Sequence, residues 1–297
     1  MEKELYFFTP GDYEQIKQLL LEKDSQVCED CLLGLYVWKS RYQLELLEME
    51  NGYLFHSKAD GSYLYPMPEK HAVTIIEELM KTEEKLVLHR VTNRQKEELE
   101  KAFSGVFTFE ADEGSFDYLY DVENLAELKG KKLSKKRNHI NSFLTTCDNW
   151  KTEPLNQRNL EECWRFAEEW YWAKEESGSE SGIGSLLAEK ASLMNVFEHF
   201  EELEAEGLML RVDGACRAFA IGQRISAHTF DVVFEKADEQ IRGAYNMINR
   251  EFVRYLRDKY KTLRYINREN DLDLPGLRKV KRSYMPAFLL EKYTART

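Results

Sequence analysis

The chain has 297 residues, 43% of them hydrophobic and 32% charged, with 53 acidic against 42 basic side chains for a net charge of −11. That balance supplies ample apolar material for a core and excludes indiscriminate binding of nucleic acid through bulk charge, while leaving room for a local basic footprint. No apolar run approaches the ~20 residues that cross a bilayer, and the N-terminal "MEKELYFFTPGDYEQ" has no basic region followed by an apolar core, so a cytoplasmic protein without integral membrane association is expected.

In chain order, "GDYEQIKQLLLEK" reads as a helix. A second helix and strands follow across "LGLYVWKSRYQLELLEMENGYLFHSK" and "GSYLYPMP", then a helix in "EKHAVTIIEELMKT", a strand in "KLVLHRV" and a helix in "NRQKEELEKAF". In "DYLYDVENLAELKGKKLSKKRNHINSFL" a strand-like run gives way to a basic helix ending near Thr145. From Trp150 the theme repeats, with a strand in "WKTEPLN" and helices in "NLEECWRFAEEWYWAKEE" and "IGSLLAEKASLMNVFEHFEEL". Consecutive strands follow through "GLMLRVDGACRAFAIGQRISAHTFDVVFEKAD", where Asp213-Gly214 marks a hairpin. A helix, the strand "TLRYINRE", a helix in "NDLDLPGLRKVKRSY" and the strand "AFLLEKY" complete the chain.

The length exceeds the ~150 residues of a typical domain, and the element order repeats, so we expect an α+β (mixed α/β) protein of two similar domains, 1–128 and 129–297, divided at Leu128. Trp164, Phe166, Trp170, Tyr171 and Trp172 are expected mostly in the core, with one exposed, and a polar loop is expected over Ser177–Ser185. The five cysteines, at 28, 31, 147, 163 and 216, form no disulfide framework. Cys28 and Cys31 make a lone C-x-x-C without the second ligand pair of a structural zinc site, so no metal is expected.

The stretch "QIRGAY" joins a strand to an amphipathic helix. Ile248, Phe252, Tyr255 and Leu256 form that helix's apolar stripe, with Asn249, Arg250, Arg254 and Arg257 facing elsewhere. Such a helix points its unpaired N–H groups at Gly243, which makes the joint either an anion seat or a tight turn that glycine permits. Two basic stretches stand out against the acidic background: "KGKKLSKKR", with Lys129, Lys131, Lys132, Lys135, Lys136 and Arg137, and the cluster Arg278, Lys279, Lys281 and Arg282. They read either as a phosphate track or as solvated faces.

"KGKKLSKKRNHINSFL", "GAYNMINREFVRYL" and "YINRENDLDLPGLRKVKRSYMPAFLLEKY" together resemble the uncharacterised bacterial proteins related to the C-terminal domain of phosphatidylglycerol lysyltransferase. The resemblance covers essentially the whole chain. It implies two tandem domains similar to acyl-CoA N-acyltransferases, each a mostly antiparallel central sheet flanked by helices, and a likeness to enzymes that add amino acids to peptidoglycan precursors from aminoacyl-tRNA. It implies that Gln240, Ile241, Arg242, Gly243, Ala244, Tyr245 and Asn246, with Val233 and Phe234 on the splayed strand before them, surround a phosphate-bearing carrier. Coenzyme A enzymes of this superfamily carry Gly or Ala where Tyr245 stands, a departure that favours aminoacyl-tRNA over a coenzyme A thioester as co-substrate.

By order along the chain, Asn267 matches the residue that holds the carrier, and Tyr284 matches the residue that protonates the leaving group; the other reading of Tyr284 is a core aromatic. Lys135, Lys136, Arg137, Asn138, Arg278 and Lys281 are the expected phosphate or substrate contacts, suited to a tRNA acceptor stem or an anionic head group. The general base stays open among Asp231, Glu269 and His228. Pro66 and Pro68 replace the glycine loop in the first domain, which is expected to be silent. The function so implied is transfer of an aminoacyl or acyl group to an amine or hydroxyl on a small molecule, peptide or head group. The alternatives are an acyl-coenzyme A N-acyltransferase and a non-catalytic nucleotide- or RNA-binding module.

Overall fold

The computed structural model describes residues 4–7, 13–22, 24–178 and 183–297. The first half contains β1 (Glu4–Phe7), α1 (Tyr13–Glu22), α2 (Leu32–Tyr42), β2 (Leu44–Met49), β3 (Gly52–Ser57), β4 (Ser62–Tyr63), α3 (Ala72–Thr82), β5 (Val87–Thr92), α4 (Asn93–Ala102), β6 (Thr108–Ala111), β7 (Asp117–Asp121) and α5 (Val122–Glu127). The second contains α6 (Ser134–Thr146), β8 (Trp150–Pro154), α7 (Leu160–Ser177), α8 (Ile183–Glu198), β9 (Glu206–Val212), β10 (Ala215–Arg224), β11 (Thr229–Ala237), α9 (Ala244–Lys259), β12 (Tyr265–Asn267), α10 (Pro275–Arg282), β13 (Phe288–Leu290) and β14 (Lys292–Arg296). Of the polar loop expected over Ser177–Ser185, residues 179–182 lie outside the described residues. No helix among the described residues is long and apolar enough to cross a membrane.

These strands form two mostly antiparallel sheets flanked by helices, ordered β1-β2-β3-β4-β5-β14-β6 and β13-β7-β12-β11-β10-β9-β8. Each has one internal parallel pair, β4 with β5 and β11 with β12, as a helical crossover between neighbouring strands requires. The expected division at Leu128 is crossed twice: β7 from the first half enters the second sheet between β12 and β13, and β14 at the chain end enters the first sheet between β5 and β6. The expected single strand "AFLLEKY" is consequently two strands in different sheets, β13 and β14, parted at Glu291.

Helix α2 explains why the halves adhere. Its run Leu32, Leu33, Gly34, Leu35, Tyr36 and Val37 is buried without interruption, so the first turns of the helix are apolar all round instead of along one stripe. It lies in one continuous core with residues of α7, α8 and β10, among them Cys163, Val196 and Phe219. Of the aromatic helix, Phe166 and Tyr171 are in that core while Trp172 is 67% exposed.

The strand exchange is fastened by a buried charge. Lys292 of β14 and Asp117 of β7 are both 0% exposed and pair at 2.7 Å. Asp117 also accepts from the Cys28 N–H at 2.9 Å and from the Asn267 side-chain amide at 2.9 Å. A buried pair satisfied this fully costs about 3–5 kcal/mol to break from one side, because the surviving charge has no compensation. Asp117→Asn is therefore expected to lower the unfolding free energy by about that much in urea titration, and Asp117→Leu combined with Lys292→Met to recover most of it; a loss below ~1 kcal/mol for the single change would contradict the assignment.

Candidate functional site

In β11 the ladder slips by one residue. Ile221 of β10 faces Phe234 and Gly222 faces Val232, so Val233 has no partner on β10 and forms a bulge. Gly222 makes this possible: a Cβ there would lie 1.9 Å from the Asp231 carbonyl oxygen, a contact no side chain survives. On its other edge, β11 pairs with β12 only over Thr229–Asp231 against Tyr265–Asn267. Residues 232–237 then run on, while Arg268 turns away to donate its N–H to the Tyr118 carbonyl at 3.1 Å. The two parallel strands part at Asp231 and Asn267, beside the bulge.

Gly243 caps α9 with φ 90°, and a Cβ on it would lie 2.2 Å from the His139 carbonyl oxygen, so α6 crosses directly against the joint. Glycine is needed for both the turn and the close approach. One amide expected in the anion seat is spent, since Ala244 N–H donates to the Ile241 carbonyl at 3.1 Å. Tyr245 turns its hydroxyl back to accept from Trp170 Nε1 at 3.1 Å. Gln240 and Arg242 are exposed on the loop.

A polar cluster lies where the strands part, on the α9 side of the sheet. Glu235, on the stretch of β11 that runs beyond its pairing with β12, accepts from Asn249 Nδ2 at 2.9 Å and from Arg268 Nη2 at 2.9 Å, so an ion pair spans the opening. The Arg268 guanidinium sits 4.9 Å from the centre of the Tyr284 ring, and Lys136 Nζ sits 3.8 Å from the same ring. Asn246 Nδ2 donates to the Tyr284 hydroxyl at 2.6 Å. Apart from the Tyr284 hydroxyl that Arg268 approaches, neither Arg268 Nη1 nor Asn249 Oδ1, both buried, has a hydrogen-bond partner among the described residues. Such orphaned groups carry a desolvation cost that a ligand would relieve.

Burial, then the neighbouring Arg268, pulls the Lys136 ammonium down to about 8 against the opposing pull of Glu235. Burial pushes the Tyr284 phenol up. On the other face of the sheet, Asp231 is 0% exposed. Apart from the weak Cys31 thiol nearby, neither of its oxygens has a partner among the described residues. Burial holds Asp231 and Glu269 above the usual carboxylate range and Lys281 below the usual ammonium range. Perturbed groups of this kind gather at functional sites more often than elsewhere.

Of the residues expected from sequence, the structure brings Tyr284, Asn246 and Lys136 together and places Val233 in the bulge, with Phe234 next to it. Asn267 is elsewhere in role: it is 0% exposed, and its side chain donates to Asp117 and to the Gln26 carbonyl at 2.8 Å and accepts from the Glu269 N–H at 2.7 Å. Arg137 donates to the Leu128 and Gly130 carbonyls, clasping the loop before α6. Arg278 grips Asp271 at 2.7 Å and 2.9 Å and Asp273 at 2.6 Å, and buried Lys281 donates to the Arg268 carbonyl, so these two members of the second basic cluster are engaged by the protein, while Lys279 and Arg282 are exposed. Lys135 and Asn138 are exposed on α6. His228 pairs with Asp24 at 3.0 Å at the opposite end of β11. Cys28, Glu29 and Asp117 gather ligand-type atoms, and the Lys292 ammonium supplies the positive charge among them.

Sequence reasoning missed Glu235, Arg268 and Asn249. It placed Asn249 off the buried face of α9, whereas Asn249 is 3% exposed and faces Glu235. A carboxylate inside the apolar run "DVVFEKA" was the available signal, because a polar side chain in a central strand needs a partner.

A lysine whose folded value is depressed contributes stability that is present above its ordinary value and lost as pH falls through the folded value. NMR titration of methylated lysines is expected to find Lys136 half-charged near pH 8, and Glu235→Gln to lower that midpoint further. A Lys136 midpoint at the ordinary ~10.4 would contradict the burial described.

A family described as "Phosphatidylglycerol lysyltransferase, C-terminal" matches residues 22–296. The crystal structure of a conserved protein of unknown function from Bacteroides thetaiotaomicron is similar at TM-score 0.89 with 32% identity, covering 99% of both chains. The C-terminal domain of a putative lysylphosphatidylglycerol synthetase from Agrobacterium fabrum is similar in fold at TM-score 0.67 with 14% identity, over 97% of this chain and 92% of that one. An uncharacterized protein of Mycoplasmoides gallisepticum is 25% identical over 183 residues, 61% of this chain and 56% of that relative, so the match spans little more than half of the relative's length. With nearly its whole length matched, the chain belongs to the family of the C-terminal domain of phosphatidylglycerol lysyltransferase.

Proposed function

We propose that the protein transfers an aminoacyl group from the 3′ end of a tRNA to an amine or hydroxyl acceptor, at the opening between β11 and β12. The observation that carries this reading is the parting of the strands beside the Val233 bulge, with Arg268, Tyr284 and Lys136 gathered on the α9 side. Family membership supports the reaction class, and it supports taking the matched strand orders of the two sheets as two copies of one unit.

Acyl transfer asks the protein chiefly for alignment and for donors where negative charge develops. We take Nη1 of Arg268, held in place by Glu235, and the backbone amide at the Val233 bulge as the donors of that kind. The acceptor nitrogen or oxygen bonds to the acyl carbon, and the bond from that carbon to the ribose oxygen breaks. The departing oxygen takes the proton of the Tyr284 hydroxyl, which Asn246 orients. The proton shed by the acceptor returns to the phenolate through solvent, so atoms and charge balance. A phenol raised by burial keeps its proton until an alkoxide forms, which suits this role. Lys135, exposed one residue before Lys136, and the lysines at 129, 131 and 132 offer contacts to the phosphates of the acceptor stem. Tyr245, turned back onto Trp170, occupies a position that glycine or alanine would leave open for a pantetheine arm.

Radiolabelled transfer from a pool of aminoacyl-tRNAs tests the reading. Arg268→Gln is expected to lower kcat about a hundredfold or more with the fold retained by circular dichroism. Lys135→Gln is expected to raise KM for tRNA and flatten its salt dependence while leaving kcat intact. Turnover of acyl-coenzyme A with no transfer from any aminoacyl-tRNA would replace the proposed carrier, and full activity in folded Arg268→Gln would remove the proposed site.

A further inference from the structure

Helix α10 is inverted for a helix at a protein surface. Its one buried residue is Lys281, whose ammonium donates to the Arg268 carbonyl, while Val280 beside it is 49% exposed. Apolar side chains also project from both ends of the helix: Leu272 before it is 59% exposed and Met285 after it 40%. A surface helix ordinarily buries its apolar residues and leaves its charges in water. Exposed apolar side chains gathered on one element point to something that covers them.

These projections are held in place. Leu272 and Met285 both have left-handed backbone, φ 52° and 57°, a conformation that is costly for either residue. The loop is clamped on both sides of Leu272, since Arg278 grips Asp271 and Asp273, and Asp271 also accepts from the Tyr118 hydroxyl at 2.6 Å. Positive charge surrounds them. Lys279 and Arg282 flank Val280 and are exposed, and Met285 shares a hollow of ≈ 220 Å³ with exposed Lys129, Lys131 and Lys132. No carboxylate lines that hollow, and Glu127, which faces Lys129, is held by Arg257. On a chain of net charge −11 this is a local reversal of sign.

We infer that the α10 face docks on a bilayer containing anionic lipids, with Leu272, Val280 and Met285 entering the headgroup boundary and Lys279 and Arg282 resting on lipid phosphates. Small apolar side chains interleaved with cations are the composition of a surface that lies in that boundary. A protein partner fits less well, because protein interfaces concentrate aromatic residues and deplete lysine, and the one aromatic of this stretch, Tyr284, is buried. RNA alone would engage the cations and leave Leu272 and Val280 in water. The loop lysines, offered above to the carrier, border the face and add to its field. The docking surface stands independently of the transfer reading.

Co-sedimentation of the full chain with vesicles tests the surface, using phosphatidylcholine alone and an equal mixture of phosphatidylcholine and phosphatidylserine. Binding to the mixed vesicles only, weakening as salt rises, is expected. Lys279→Gln combined with Arg282→Gln is expected to lower that binding about tenfold or more. Leu272→Asn combined with Met285→Asn, which suits the left-handed backbone and so retains the fold by circular dichroism, is expected to lower it severalfold with the salt dependence unchanged. Equal binding to both kinds of vesicle, or no binding to the mixed vesicles at low salt, would overturn the inference. Unchanged vesicle binding in the doubly Asn-substituted chain, with a short RNA duplex displacing the vesicles, would overturn it in favour of RNA.

Discussion

One buried carboxylate holds this architecture in register. Asp117 sits at 0% exposure on the strand that the first half lends to the second sheet, and it is met there by Lys292 of the strand returned to the first sheet. Taking two charges out of water costs several kcal/mol per ion unless their remaining lone pairs and protons are satisfied. Here they are: the Cys28 amide, the Asn267 side chain and Glu29 complete the set. The consequence reaches beyond stability. Because Asn267 is pinned to Asp117, β12 ends at a fixed point, and the place where it leaves β11 is fixed with it.

Around that point, small residues and close contacts bring a set of polar side chains together. Gly222 lets β10 press onto β11 beside the Val233 bulge, and Gly243 lets α6 press onto the start of α9. These contacts deliver Lys136 from α6, Asn246 and Asn249 from α9, Arg268 from beyond β12 and Tyr284 from beyond α10 to one spot. None of those side chains is close to the others in sequence except the pair on α9. The electrostatics follow from the crowding: a lysine and a guanidinium share one tyrosine ring and one carboxylate, so the lysine gives up part of its hold on its proton.

Much of the fold was legible because it is written in local periodicity. The α9 stripe, the Asp213-Gly214 hairpin and the succession of strands after Glu206 all appear where the apolar spacing put them. The strand exchange was not legible, since a strand's own sequence says nothing about which sheet it joins; "AFLLEKY" reads as one apolar run, and only the burial of Lys292 against a residue 175 positions away divides it. At the site, glycine and aromatic signals were readable, and the structure places Tyr284 in the polar cluster and Val233 in the bulge. Arg137, Arg278 and Asn267 were misjudged in role for a common reason: each satisfies a group inside the protein, Asp271 for Arg278, backbone carbonyls for Arg137, Asp117 for Asn267. A side chain's type fixes its chemistry, whereas its partner is set by tertiary packing. Glu235 and Arg268 were hidden the other way, as two ordinary charged residues 33 positions apart whose pairing exists only across the opening.

The central claim is that the opening between β11 and β12 receives the acyl carrier on the α9 side. A crystal structure with a short RNA acceptor stem carrying an amide-linked, non-transferable aminoacyl group at its 3′ end tests it directly. The account predicts the acyl carbonyl within hydrogen-bond distance of Arg268 Nη1 or the Val233 amide, and the terminal ribose beside Tyr284. Density for the 3′ end on any other face, with Arg268 still closed onto Glu235 and nothing between the strands, would contradict it.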